Sequence, residues 1–309
     1  MRILFFGTAQ FAVPSLEALA AHGHTIVQCI TQPDRPQGRG LRVDHSPVKQ
    51  AALRLNLPLA QPERLSLEAL RGVTADVGVV AAYGQLIRRD VLSLPAQGVL
   101  GVHPSLLPKY RGAAPVPWAL LHGETVTGMT IFRLNERLDA GEMLLQERMM
   151  IEPHEGADRL LHRLADLGAD CVIRTLERVA QGQAIATPQD EAQATLAPKL
   201  TKAQGRIDWR APAETVERVV RATIGWPGAT TSWHGHELKI WSATAGSEQT
   251  SHSAGTVLAV DAEGLRVAAG QGIVRITELQ AAGKRRMHVK EFMAGHRIAV
   301  GDRLESTNA

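Results

Sequence analysis

"DVGVVAA" (residues 76–82) and "GVLGVH" (residues 98–103) are the two runs on which the fold turns. Neither alternates apolar with polar residues. A short, continuously apolar run marks a strand buried on both faces, the condition of a parallel sheet covered by helices. Working outward, RILFF (2–6) is strand-like and passes through Gly7 into FAVPSLEALAAHG (11–23), whose apolar spacing is helical. TIVQCIT (25–31) reads as a second strand, and helices are expected around 46–55 and 113–122. TGMTIFRL (127–134) and EMLLQERMMI (142–151) read as strands flanking the turn LDAG (138–141), before a long helix near 156–182. This alternation predicts an α/β fold: an open, mostly parallel, Rossmann-like sheet with helices on both faces. Ligands in such sheets bind at the carboxyl ends of strands, where the strand order reverses, and His103 stands at a strand's carboxyl end.

Periodicity fades over 184–205, which is rich in Ala, Gln, Thr and Pro, and a linker is expected there. Beyond it, short strand-like runs follow one another between glycines: TTSWHG, ELKIWSA, AGTVLAV, GLRVAAG and GIVRITELQ. They predict a small β-barrel of the OB-like, five-stranded kind used by nucleic-acid binders. The expected division is an α/β domain over 1–189, a linker over 190–205 and a barrel over 206–309. At 309 residues, two domains fit the size at which single cores stop growing.

With 44% hydrophobic and 21% charged residues, the composition is that of an ordinary globular protein. No apolar stretch approaches the ~20 residues of a membrane helix. MRILFFGTAQ reads as a first strand and not as a signal peptide. Cys29 and Cys171 lie far apart in apolar segments, and the histidines lack metal-type spacing, so neither a disulfide nor a metal is expected. A cytoplasmic protein is expected. The first 200 residues are charge-neutral, which places the whole net +3 in residues 201–309.

Four features carry candidate chemistry. His103 ends a buried strand between residues that Pro104 and Pro108 restrict, and its near-neutral intrinsic pKa suits proton transfer. Asp139, in RLDAGEML, orients that imidazole if its turn folds against the His103 loop. The loop TQPDRPQGRGLRVDHSPVK (31–49) carries Arg35, Arg39, Arg42 and Lys49 against Asp34 and Asp44, with no regular structure expected over most of it. Arginines on such a loop suit phosphate contacts. Lys202, in KLTKAQGRIDW, and Lys284, Arg285 and Arg286, in AGKRRMHVKEF, form a candidate backbone-tracking patch. The G-x-G-x-x-G spacing is absent after the first strand, so NAD is not expected.

FFGTAQFA, TQPDRPQGRG, VVAAYGQL, HPSLLPKYRGAAP, TGMTIFRL, LDAGEML, KLTKAQGRIDW and AGKRRM together resemble the methionyl-tRNA formyltransferase family, in order and spacing, over nearly the whole chain. The resemblance implies transfer of a formyl group from 10-formyltetrahydrofolate to the amino group of methionyl initiator tRNA, in translation initiation, by a monomer without a metal. It implies that His103 stabilises the oxyanion and assists proton movement, with Asp139 as its partner. It implies folate contacts from Ser105, Leu106, Leu107 and Pro108, with the loops of Tyr83 and Asp139 flanking the pterin. Arg35, Arg39 and Arg42 match the loop that embraces the acceptor stem, and the barrel would track the tRNA backbone by charge. One position departs. The family's asparagine two residues before the histidine is replaced here by Gly101, which offers no side-chain donor, and loss of one such donor typically costs about 10²–10³ in rate. Two other readings remain open on the residues alone. One is formyl transfer to a different amine, such as a nucleotide sugar, and the other is a folate- or tRNA-binding homologue impaired through Gly101.

Overall fold

The structure, a computed structural model, describes residues 1–37 and 42–306. The chain divides into two compact units: Met1–Pro115 with Val126–Met150 and Leu161–Ala197, and Val116–Thr125 with Ile151–Leu160 and Pro198–Ala309.

The first unit is built on strands β1 (Arg2–Gly7), β2 (Thr25–Ile30), β3 (Arg35–Gln37), β4 (Arg42–Asp44), β5 (Leu59–Ala60), β6 (Val77–Ala81), β7 (Val99–His103), β8 (Val126–Arg133) and β9 (Met143–Met150). Its main sheet runs in the order β5-β2-β1-β6-β7-β8-β9. Pairing is parallel from β5 to β7, and β8 and β9 add an antiparallel edge. In β1, Ile3, Leu4, Phe5 and Phe6 are all fully buried, as expected of a strand covered on both faces. The two opening runs, β6 and β7, lie side by side, with Val80 opposite Gly101. The strand order reverses between β1 and β6, so His103 ends the strand next to the switch point and not a strand at it.

Helix α1 (Val13–Ala21) follows β1, and α2 (Pro47–Arg54) lies between β4 and β5. The Ser46 hydroxyl accepts the Lys49 N–H at 3.1 Å, and Pro47 opens α2 where an N–H would have no partner in the helix. The described parts of the basic loop hold regular structure. β3 and β4 pair antiparallel, Arg35 opposite Asp44 and Gln37 opposite Arg42. At its base, Asp34 accepts from Lys49 Nζ and from Gln61 Nε2, which lowers its pKa to about 2. Lys49 is thus engaged within the fold.

The second unit is a curled antiparallel sheet of β10 (Ala229–Trp233), β11 (His236–Gly246), β12 (Val257–Asp261), β13 (Gly264–Ala268), β14 (Ile273–Ala281), β15 (Met287–His288) and β16 (Leu304–Glu305). The order is β12-β13-β14-β11-β10-β16, with β15 beside β14, and a Thr256–Arg303 bridge joins the two ends. Ala213–Ala222, a helix the strand-rich pattern did not announce, packs Val216 and Val220 into a core with Leu238, Ile240, Val274 and Ile276. No helix among the described residues is long and apolar enough to cross a membrane.

Candidate active site

His103 is the last residue of β7 and its side chain is buried. Its Nε2 lies 2.9 Å from the Tyr110 carbonyl oxygen. A carbonyl only accepts, so Nε2 carries a proton and donates it. Nδ1 faces Asp139 Oδ2 at 3.8 Å, an ion-pair distance too long for a hydrogen bond. Asp139 Oδ2 instead accepts the Gly112 N–H at 2.7 Å. The expected His103–Asp139 pair is therefore brought together, but main-chain groups intervene in holding it. A single tripeptide, Tyr110–Arg111–Gly112, positions both side chains: its first carbonyl holds the imidazole and its last N–H holds the carboxylate. The tripeptide is contorted for this purpose, with φ +62° at Tyr110 and +120° at Gly112, and Asp139 itself adopts φ +45°.

The intervening residue, Arg111, is buried and makes a two-pronged contact with Glu191, Nη1 to Oε2 at 3.1 Å and Nη2 to Oε1 at 3.0 Å. Beside it, the backbone of 195–197 runs along the loop: the Arg111 N–H donates to Thr195 O at 2.9 Å and the Ala197 N–H to Arg111 O at 2.7 Å. Sequence reasoning missed this strap. Its segment lies within the expected 184–205 linker and lacks apolar periodicity, so periodicity carried no signal of it.

The SLLP residues divide into two pairs. Ser105 and Leu107 are buried, and their polar groups are committed: Ser105 Oγ donates to Lys109 O at 2.6 Å, and the Leu107 N–H donates to Thr130 Oγ1 at 3.2 Å. Leu106 and Pro108 are the partly exposed members. The Tyr83 side chain lies in the core. It is 2% exposed, packs on Phe6 at 5.7 Å, and its hydroxyl has no hydrogen-bond partner among the described residues. Burial pushes that phenol up to about 12. What its loop presents is backbone, the Tyr83 carbonyl accepting from Thr8 Oγ1 and Gln32 Nε2.

Gly101 lies between Val80 and Phe132 in the sheet. A Cβ added there would fall 2.4 Å from Phe132 Cε1 and 2.7 Å from Leu134 Cδ1. The space a side chain would use is thus filled by a buried phenylalanine, whose ring meets His103 edge-on at 6.3 Å.

Among the basic candidates, Arg35 is exposed on β3, only the backbone of Arg42 is described, and Arg39 lies outside the described residues. Lys202 is exposed in a turn closed by a Thr201–Gln204 capping box. Arg285 and Arg286 are exposed but paired, Arg285 Nη2 to Glu291 Oε2 at 2.7 Å and Arg286 Nε to Glu278 Oε2 at 2.6 Å. Sequence reasoning overlooked Trp241. Lys239 Nζ, from two residues back on β11, and the Arg286 guanidinium, from the segment between β14 and β15, stand over its ring at 4.4 and 5.0 Å. Among the described residues, no group of three His, Cys, Asp or Glu side chains is placed to hold a metal ion.

A formyl transferase family profile matches residues 1–176, and a formyl transferase C-terminal domain profile matches 199–297. Similar proteins named methionyl-tRNA formyltransferase include one from Solibacter usitatus, 44% identical over 98% of both chains. The chain belongs to the methionyl-tRNA formyltransferase family. Another member, from Chloroflexus aurantiacus, is 45% identical over 96% of this chain and 97% of its own. Two solved structures share the fold. An N-formyltransferase from Helicobacter canadensis superposes with a TM-score of 0.70 at 15% identity, covering 91% of this chain and 99% of its own. The methionyl-tRNA formyltransferase of Clostridium thermocellum gives 0.56 at 12% identity, covering 79% and 93%.

Proposed function

We propose that the chain transfers a formyl group from 10-formyltetrahydrofolate to the amino group of methionyl initiator tRNA, as a monomer in the cytoplasm at the start of translation. One observation supports it above the others: the Tyr110–Gly112 backbone sets His103 Nδ1 and Asp139 Oδ2 3.8 Å apart at the carboxyl end of β7, in a chain of this family. In this reading the neutral amine attacks the formyl carbon, and negative charge develops on the formyl oxygen. His103 Nδ1, unprotonated while Nε2 donates to the Tyr110 carbonyl, takes the proton that leaves the amine and donates it towards that oxygen. It passes the proton to the folate nitrogen as the bond from that nitrogen to the formyl carbon breaks. Asp139 stabilises the imidazolium that forms. Gly101 contributes no side-chain donor, so His103 carries the oxyanion without the second amide that the family supplies at that position.

Leu106 and Pro108 suit the folate through their partly exposed apolar surfaces, while Ser105 and Leu107 hold the loop's shape. The Tyr83 loop would meet the pterin through its main chain. The tRNA would be met by Arg35, Arg39 and Arg42 on one unit and by Lys202, Lys284, Arg285 and Arg286 on the other, through phosphates and not base edges. The catalytic unit is taken to run through Ala197 instead of ending at 189, because the strap over the tripeptide belongs to it.

The test is turnover with 10-formyltetrahydrofolate and methionyl initiator tRNA, beside a nucleotide-sugar amine as competing acceptor. Formylation of the tRNA is expected. Formylation of the sugar amine alone, or turnover unchanged in His103→Ala, would overturn the reading.

A further inference from the structure

We infer that Gln189 is a positioning residue for the Asp139 carboxylate, acting through the turn that carries it; this rests on the formyl-transfer reading above. The Gln189 side-chain amide is saturated. Its Nε2 donates to the carbonyls of Asp139 and Gly141, both at 2.8 Å. Its Oε1 accepts from Arg111 Nε at 3.0 Å and Nη2 at 2.8 Å. The orientation is forced, because a guanidinium only donates and the two carbonyls only accept.

The turn needs such a clamp. Asp139 is held at φ +45°, a conformation aspartate adopts infrequently. Two residues on, Gly141 passes so close to β8 that a Cβ there would fall 1.6 Å from the Arg133 carbonyl oxygen. The hydrogen bonds form a closed circuit. The Asp139 carboxylate takes the Gly112 N–H, Arg111 is covalently next to Gly112, its guanidinium grips Gln189, and Gln189 returns to the Asp139 carbonyl. Glu191 anchors the guanidinium from the other side. Without the two Gln189 donors the circuit opens, and of its hydrogen bonds to Asp139 only that of the Gly112 N–H is left.

Gln189→Glu is the discriminating variant. It keeps the side chain's size and its acceptors towards Arg111, and removes both N–H groups from the turn. The expected result is a kcat lowered about 10- to 100-fold, since small misplacements of catalytic groups have effects of that order. KM for folate and for tRNA stays within about 2-fold because binding is kept, while the unfolding midpoint falls modestly, since a carboxylate oxygen now faces the Asp139 and Gly141 carbonyls. In an Asp139→Ala background the same substitution lowers kcat no further, which a merely structural role does not produce. A wild-type kcat in Gln189→Glu, or an equal loss in both backgrounds, overturns the inference. Should Gln189→Glu not fold, Gln189→Met is read by the same two comparisons. A wild-type protein without turnover sinks the formyl-transfer reading itself, whereas wild-type turnover matched by the variant sinks only the role of Gln189.

Discussion

His103 and Asp139 are held by main-chain groups of Tyr110 and Gly112, whereas Arg285 and Arg286 are held by the carboxylates of Glu291 and Glu278. The difference separates two kinds of function. Main-chain partners leave no rotamer to choose, so the geometry of the first group is set before any substrate arrives. Exposed ion pairs contribute about 0–1 kcal/mol, so the second group can exchange its carboxylates for phosphates at little cost. Catalysis needs the former, and tracking an RNA backbone tolerates the latter.

The comparison breaks most sharply at His103. His103→Ala removes the imidazole of the site, and formyl transfer is expected to fall by about 10²–10⁴, with the folate and tRNA affinities retained. Next in size is Gly101→Asn. Adding the donor typical of the family is expected to lower the thermal midpoint without raising kcat, because the new side chain overpacks against Phe132 and Leu134 at a cost of about 1–3 kcal/mol. Higher turnover with an unchanged midpoint would show that the Phe132 wall yields. The exchangeable group gives a smaller effect of another kind. In Arg285→Ala/Arg286→Ala, KM for tRNA should rise while kcat stays the same, and the salt slope should flatten by about one for each phosphate no longer neutralised. A fall in kcat there would erase the distinction. Smallest of all, Tyr83→Phe should leave turnover and folate KM untouched and hold or raise stability, since it deletes a buried hydroxyl with no partner among the described residues. A weakened folate KM would restore a side-chain role to Tyr83.

Much of this is legible in the sequence. The continuous apolar runs at 76–82 and 98–102 become β6 and β7, and the long helix expected near 156–182 spans Ala157–Ala180. His103 is legible because a strand's end is a position in sequence as well as in space. What escapes depends on neighbours across the sheet or far along the chain. The Phe132 ring over Gly101 follows from the β7–β8 register, and Arg286 reaches Trp241 from the segment between β14 and β15, 45 residues on in the chain. The burial of the Tyr83 side chain against Phe6 likewise rests on a residue far along the chain, and no local pattern shows it. The strap at 187–197 holds its place through polar and main-chain hydrogen bonds, to which apolar periodicity is blind.

The strap also bears on how this chain can be recombined. The family profile ends at residue 176 and the next begins at 199, which makes the interval between them look like neutral ground for a splice. Yet Gly112 is seated against Ala197, whose carbonyl oxygen would lie 2.8 Å from any Cβ placed there. A chimaera that takes a foreign carboxy-terminal unit should therefore be joined downstream of Ala197. A seam placed earlier would keep His103 and Asp139 and discard part of the scaffold that aims them.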